Sequence, residues 1–329
     1  MLFLSISNSY ITCLLGALKG VTLLPQKAFP FSIHMRFVPD HLPPTFDSLE
    51  RLANMLLASS RTLALTGAGL STESGLPDYR SAGVGLYART NRKPIEYQTF
   101  VTNEYARKNY WARNFVGWFY FSNVKPNTGH YILAKWEQEN RLSSLITQNV
   151  DRLHHAAGST RILELHGTTH RVVCLQCGNE SARSDLQYRF VELNPSWSHY
   201  AFSTSKQHQI TPDGDIELPA DLVQNFQVPV CQSCDGGMLK PNVVFFGENL
   251  PPERKTEASN LVSQADLLLC LGTSVQTFSA FRLLLQAKHN HTPIVIVNIG
   301  ATRADSLAQL IINSRISVTL EQVDRLIYG

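Results

Sequence analysis

The chain has 329 residues, 43% of them hydrophobic, with 29 Lys and Arg against 26 Asp and Glu and a formal charge of +3. That length supports one large domain, or two, with a real apolar core. No continuously apolar run reaches the ~18 residues needed to span a bilayer, and the basic residues are scattered rather than striped, so neither membrane insertion nor nucleic-acid binding is indicated. In chain order, residues 1–39 come first, with Lys19, Lys27 and Arg36 as their only Lys or Arg and no acid before Asp40. Acid-poor, hydroxyl-bearing N-termini read as organelle transit segments. "ITCLLGAL" would also pass for the apolar part of a secretory signal, but the cysteines further on argue for a reducing compartment, which favours mitochondrial import.

The first predicted strand, "TLAL", runs into "TGAGLSTESGLPDYR", Thr66 to Arg80. A strand ending in Gly-x-Gly suggests a dinucleotide site, because glycines let the backbone approach a pyrophosphate and the next helix offers unpaired N–H groups. The dehydrogenase fingerprint then fails. Thr72 stands where a third glycine belongs, and no Asp or Glu lies near Tyr87 to hold an adenosine ribose. Hydride transfer is disfavoured, while a plain tight turn stays open as an alternative.

Next come "SAGVGLYART", an aromatic stretch from Lys93 to Asn127, the helical pattern "HYILAKWEQEN", and the strand "LSSLIT" ending in "TQNVD". The helix-like "RLHHAAG" and the strand "RILELHG" follow. Four of the six cysteines then form two pairs, Cys174 with Cys177 and Cys231 with Cys234. Two Cys-x-x-Cys knuckles supply four thiolates, which suits one tetrahedral zinc with no position open for water and hence a structural role. Their separation far exceeds the ~15–20 residues of a compact ribbon, yet glycines follow both knuckles, at Gly178 and at Gly236 and Gly237. A redox pair is the alternative. Cys270 reads as a buried strand residue and Cys13 as part of the leader.

The last strands are "NVVFFGE", "DLLLCLGTS" and "PIVIVNIG", with the helical "SAFRLLLQAKHN" between the second and third. Apolar runs alternating with helical patterns predict an α/β fold, a Rossmann-like doubly wound parallel sheet with a smaller zinc-binding and helical lobe. The sheet domain is expected from 45–92, 128–172 and 241–329. Residues 93–127 form a helical insertion, and 173–240 a zinc-binding insertion with a long loop near 194–228. Ligands gather beyond the carboxyl ends of such strands, which here carry "GAGLS", "TQNVD", "LHG", "GTS" and "VNIG".

From about Thr45 onward the chain resembles the sirtuins, NAD-dependent protein deacylases. The matching motifs, in order, are "GAGLSTESGLPDYR", "TQNVDRLHHAAGS", "ELHG", the two cysteine pairs, "LKPNVVFFGE", "GTS" and "VNIG". "SAGVGLYART", "YWARNFVGW" and "NPSWS" are similar to one branch in particular, the class II mitochondrial sirtuins associated with lipoamidase activity. The resemblance implies that the acyl oxygen of a modified lysine attacks the nicotinamide ribose of NAD, that nicotinamide leaves, and that a ribose hydroxyl then attacks the imidate carbon. That last step needs a base near neutral pH, which fits His166, with Asn149 orienting the ribose and Asp151 binding the carboxamide. Gly67, Ala68, Gly69, Ser71, Asp78, Tyr79, Arg80 and Gln148 would line the cofactor loop. Gly272, Thr273 and Ser274 would take phosphate, Asn298 the adenosine ribose, and the backbone of Ile316 adenine.

Val244 and Phe246 would flank an acyl-lysine tunnel, with Gly247 and Glu248 offering backbone bonds to an extended peptide. Tyr87, Arg89 and Arg92 follow the cofactor loop closely enough for an arginine to reach the tunnel and bind a carboxyl-tipped acyl group. The 194–228 loop is expected to close over its mouth or to be a surface decoration. The chain is thus expected to remove long acyl groups, lipoyl-like and carboxyl-tipped branched ones, in preference to acetyl. The implied partners are acylated lysines of mitochondrial matrix proteins, among them lipoyl-bearing dehydrogenase complexes and glutamate dehydrogenase. Protein mono-ADP-ribosylation at the same NAD site is the alternative activity, and a non-catalytic NAD sensor a third reading, against which His166 and the full "QNVD" set argue.

Overall fold

The computed structural model describes residues 36–91, 93–201 and 210–329. Most of the expected transit segment and Arg92 therefore lie outside the described residues. Phe37 is already buried, with the Arg89 guanidinium 5.0 Å from its ring centroid, so the folded body begins inside the segment expected to end at residue 39.

Six apolar runs make one parallel sheet in the order β3-β2-β1-β7-β8-β9. Its strands are β1 (Thr62–Thr66), β2 (Ser144–Thr147), β3 (Ile162–Glu164), β7 (Leu267–Leu271), β8 (Ile294–Val297) and β9 (Leu310–Ile312). They read as continuous hydrophobic stretches because both faces are covered. Leu63, Leu65, Leu268, Cys270 and Ile296 share a core with Ala258 and Val262 of α5 (Pro252–Gln264) and with Leu283 and Leu284 of α6 (Phe278–His289). Ala64, Leu269, Leu271, Val295 and Val297 pack on the opposite face. There they meet α1 (Phe46–Ala58), α3 (Thr128–Gln138) and α7 (Ile316–Tyr328). The period of two assigns alternate residues to the two helix layers. As expected for a strand residue, Cys270 is fully buried, and burial pushes its thiol up to about 12.

One expected strand belongs elsewhere. "NVVFFGE" is not in the parallel sheet; β6 (Leu239–Val243) ends inside it and pairs antiparallel with β4 (Gly167–Cys174), which also pairs with β5 (Glu180–Ala182). The sixth parallel strand is instead the short "LII" of β9, between two helical segments. The small sheet shares a core with α2 (Glu104–Asn123) and α4 (Arg183–Leu193), in which Trp111, Phe115, Phe190, Trp197 and Phe226 pack together with Cys174 and Cys231. Arg183 is fully buried in this core. Its Nε donates to Asn114 Oδ1 at 2.8 Å, and its guanidinium carbon lies 4.7 Å from the Trp118 ring centroid.

Candidate active site

The register of the parallel sheet builds the site. Thr66 pairs with Thr147 and Leu271, Thr147 with Glu164, and Leu271 with Val297. The residues that follow these strand ends, Gly67, Gln148, Gly272 and Asn298, therefore emerge at one level on the carboxyl edge. The strand order reverses between β1 and β7, and a doubly wound sheet opens its ligand crevice at such a switch point. A cavity of about 1140 Å³ lies there. It exceeds the roughly 300–1,000 Å³ of pockets for drug-sized ligands, which leaves room for a dinucleotide together with an acyl chain.

The two central loops touch backbone to backbone. Gly69 N–H donates to Gly272 O at 2.8 Å, and a Cβ on Gly69 would sit 2.8 Å from that same oxygen. Gly272 itself has φ +59°, so both loops require glycine where they cross. Beyond it Val275 is held at φ +54°, a strained conformation for a β-branched residue, with its N–H on Thr273 Oγ1 at 3.1 Å.

A hydrogen-bond chain runs along one wall. Asn149 Nδ2 donates to Gly67 O and to Ser71 Oγ, both at 3.1 Å, and Ser71 Oγ donates to Asp151 Oδ2 at 2.7 Å. With both amide hydrogens so used, Oδ1 is the Asn149 atom able to accept from a ribose hydroxyl. Asp151 Oδ1 accepts from Leu153 N–H at 2.9 Å, so the carboxylate also opens the short helix Leu153–Ala156. Burial pushes the Asp151 carboxyl up, against the pull of its bonds from Leu153 and Ser71.

Gln148 ties three strand ends together. Its Nε2 donates to Thr273 Oγ1 at 2.9 Å and to Thr66 O at 3.2 Å, while its carbonyl oxygen lies 3.2 Å from His166 Nδ1. His166 sits where the chain leaves β3 of the large sheet and enters β4 of the small one. His166 lines the cavity, and burial of its ring pushes the imidazole down to about 4. It is therefore neutral at pH 7 and able to accept a proton. The sequence suggested a base poised near neutrality; enclosure by the two lobes lowers it further than composition reveals.

The expected cofactor residues Gly67, Ala68, Gly69, Ser71, Asp78, Tyr79, Arg80, Gln148, Asn149, Asp151, Gly272, Thr273, Ser274 and Asn298 all line this one cavity, as do Val244, Phe246, Gly247 and Glu248. Asp78 spends its carboxylate locally, accepting from Arg80 N–H at 3.0 Å and Ser81 N–H at 2.8 Å in the loop turn. Glu248 N–H closes a turn on Phe245 O at 3.1 Å, and its side chain pairs with Lys240 at 3.0 Å, so that N–H is committed within the chain rather than offered to a peptide. Tyr79 packs edge-on to Phe246 with centroids 6.5 Å apart, and burial raises its hydroxyl well above the usual tyrosine value.

Three expected contacts fall elsewhere. Ile316 is not among the cavity-lining residues; it is buried at the start of α7, with its side chain close against Gly272. Tyr87 and Arg89 are also outside the lining: Tyr87 packs at a tilt against Tyr79 with centroids 5.9 Å apart, and Arg89 covers Phe37. Both residues belong to the short helix Leu86–Arg89, and the Nε and Nη2 of Arg89 are buried beside Phe37. Sequence reasoning missed Ser279, Thr277 and Phe278 at the head of α6, and Pro212 and Asp213 of the long loop, all of which line the cavity. Pro212-Asp213 was legible only as turn chemistry, and Ser279 only as the first residue of a helical pattern. His154, in the segment "RLHHAAG", is buried with Nε2 3.0 Å from Thr66 Oγ1, a structural contact.

The four cysteine sulfurs lie within 4.8 Å of one another. Cys174 and Cys234 are 3.7 Å apart and Cys177 and Cys231 3.8 Å apart, all four as free thiols. Four sulfurs at ~2.3 Å from a central zinc stand about 3.8 Å from each other in a tetrahedron, so the set fits a closed structural zinc site. Backbone N–H groups of Gln176 and Ser233 point at Cys174 and Cys231 sulfurs, at 3.4 Å and 3.3 Å. Gly237 closes the second knuckle, where a Cβ would fall 2.2 Å from Cys174 Sγ.

Comparison with known proteins agrees with this geometry. Residues 67–279 match the model of the Sir2 family. The chain is 49% identical over 288 residues to the NAD-dependent protein lipoamidase sirtuin-4, mitochondrial, of Bos taurus, covering 88% of this chain and 89% of that protein. It is 47% identical to the NAD-dependent protein deacylase Sirt4 of Drosophila melanogaster, covering 85% and 87%. Among solved structures, Sir2 bound to acetylated peptide superposes with a TM-score of 0.66 at 29% identity, over 85% of this chain and 99% of that one. With a parallel sheet that opens its crevice at the switch point, a four-cysteine zinc site and these relatives, the chain belongs to the Sir2 family, the sirtuins.

Proposed function

We propose that the protein is an NAD-dependent protein-lysine deacylase that transfers the acyl group to ADP-ribose, releases nicotinamide, and acts on acylated lysines of mitochondrial matrix proteins. The observation that carries this is the convergence of His166 and the Asn149–Ser71–Asp151 chain on one cavity. NAD supplies a ribosyl carbon whose bond to nicotinamide can be broken. The loops of Gly67–Gly69 and Gly272–Ser274 would hold its phosphates, Asn149 Oδ1 would accept from its ribose, Asp151 would take the carboxamide, and Asn298 the distal ribose. Tyr79 and Phe246 cover the reacting centre and exclude water. His166, neutral and with Nδ1–H fixed on the Gln148 carbonyl, accepts a hydroxyl proton at Nε2.

We infer a preference for long acyl groups over acetyl from the lipoamidase name of the mitochondrial relatives, and Pro212 and Asp213 of the long loop line the same cavity. Arg89 does not line the cavity and so does not support a preference for carboxyl tips. Lipoyl-bearing dehydrogenase complexes in the matrix are a fitting substrate class, in keeping with the lipoamidase name of the mitochondrial relatives. A panel of lysine peptides bearing acetyl, lipoyl and carboxyl-tipped branched groups, read by mass spectrometry, tests this. Long acyl groups should give the higher kcat/KM; acetyl as the best substrate would overturn the acyl preference.

A further inference from the structure

His166 is held at both ring nitrogens. Nδ1 lies 3.2 Å from the Gln148 carbonyl oxygen and Nε2 lies 2.9 Å from Ser279 Oγ. A carbonyl oxygen only accepts, so Nδ1 carries the proton and Nε2 the lone pair, and the Ser279 hydroxyl donates to that lone pair. Ser279 stands in the first turn of α6, and both residues line the cavity. The base of the proposed reaction is thus capped, at its working nitrogen, by a hydroxyl to which that reaction otherwise gives no role.

We propose that Ser279 is a positioning residue for His166: its hydroxyl donates to Nε2 of the resting imidazole, yields that lone pair to the substrate hydroxyl, and accepts from Nε2–H once the deprotonated oxygen has moved off. This rests on His166 being the base. The proton count closes within the site. The substrate O–H bond breaks, the Nε2–H bond forms, and the electron pair stays on the departing oxygen. Only a group that both donates and accepts can serve the two protonation states, and a serine hydroxyl does so by turning about its Cβ–Oγ bond.

The surroundings make this second role matter. Arg254 of α5 acts on the ring and, with burial, disfavours the imidazolium. Lys255 and Arg282 line the same cavity from α5 and α6, and Asp151 does so from the turn after β2. Glu164 precedes His166 by two residues; burial raises its carboxyl, and the charges of Arg152 and Arg254 oppose that. An oxygen in contact with Nε2 therefore lowers the cost of proton uptake where the neighbouring charges do not.

The test uses the full chain with Ser279→Ala and Ser279→Thr. In the unliganded protein at neutral pH, diethylpyrocarbonate acylates an imidazole nitrogen whose lone pair is uncapped, and peptide mass spectrometry reads its rate at His166, with His155 as internal reference. The rate at His166 should rise several-fold in Ser279→Ala and stay at the wild-type level in Ser279→Thr. In deacylation, Ser279→Ala should lose about tenfold in kcat, the size expected for one hydrogen bond, with KM for NAD unchanged and with recovery in Ser279→Thr. An unchanged labelling rate or an unchanged kcat in folded Ser279→Ala overturns the proposal. Labelling is read without turnover, so a wild-type protein that deacylates nothing would count against the proposed function, while labelling still decides the contact.

Discussion

Lowering the pH from about 7.5 to about 5.5 should leave kcat/KM for deacylation nearly unchanged. Burial is the largest influence on His166, Arg254 adds to it and the Gln148 carbonyl opposes it, with the result at about 4. A base of that value is more than about 95% unprotonated at pH 5.5, whereas an unperturbed histidine at ~6.5 would retain about a tenth of its free-base form. The difference is therefore roughly tenfold in rate. The profile of kcat/KM reports the free enzyme, the state described here. Initial rates at a series of pH values, with circular dichroism confirming the fold at each, measure it. An acid limb centred near 6.5 in a folded protein would show that the enclosure of His166 does not set its protonation.

His166→Ala should fold normally and retain NAD affinity while kcat falls ~10²- to 10⁴-fold; wild-type turnover in the folded variant would remove His166 as the base. Cys174→Ala should lose zinc and unfold the small lobe, since a structural zinc contributes roughly 10 kcal/mol or more. Gly237→Ala should do the same by driving a methyl into Cys174 Sγ, and a zinc-replete, folded form of either variant would refute this site. Stability should fall in acid because burial lowers His130 to about 3 and both His166 and His170 to about 4. For groups lowered in the folded state the stabilisation is present above the unfolded value near 6.5 and is lost as pH falls toward about 4. The slope is ~1.4 kcal/mol per pH unit for each, about 4 for the three together. Equal urea midpoints at pH 7 and 5.5 would contradict it.

Local chemistry in the sequence was enough to foresee much of the site, because glycine at strand ends, Cys-x-x-Cys knuckles and the order of the motifs are each set by a few neighbouring residues. Thr66, Thr147 and Leu271 end three apolar runs that become neighbouring strands, and their parallel register then brings Gly67, Gln148 and Gly272 together. What stayed hidden depended on long-range placement. "NVVFFGE" has the composition of a parallel strand, yet the chain leaves the large sheet at His166 and β4 then captures β6 as its antiparallel partner. Arg89 was near enough in sequence to reach the tunnel, but a buried Phe37 from the far N-terminal side takes its guanidinium. Ser279 met His166 only because the start of α6 folds across from the end of β3, a contact with no short-range signature.

An acyl-lysine peptide carrying ¹³C in its acyl carbonyl, incubated with the protein and NAD, tests the proposed chemistry in one experiment. The label should appear on ADP-ribose, in one-to-one proportion with nicotinamide released and lysine unmasked. Nicotinamide released with ADP-ribose left on a protein side chain and the acyl-lysine intact would contradict deacylation and establish ADP-ribosyl transfer in its place.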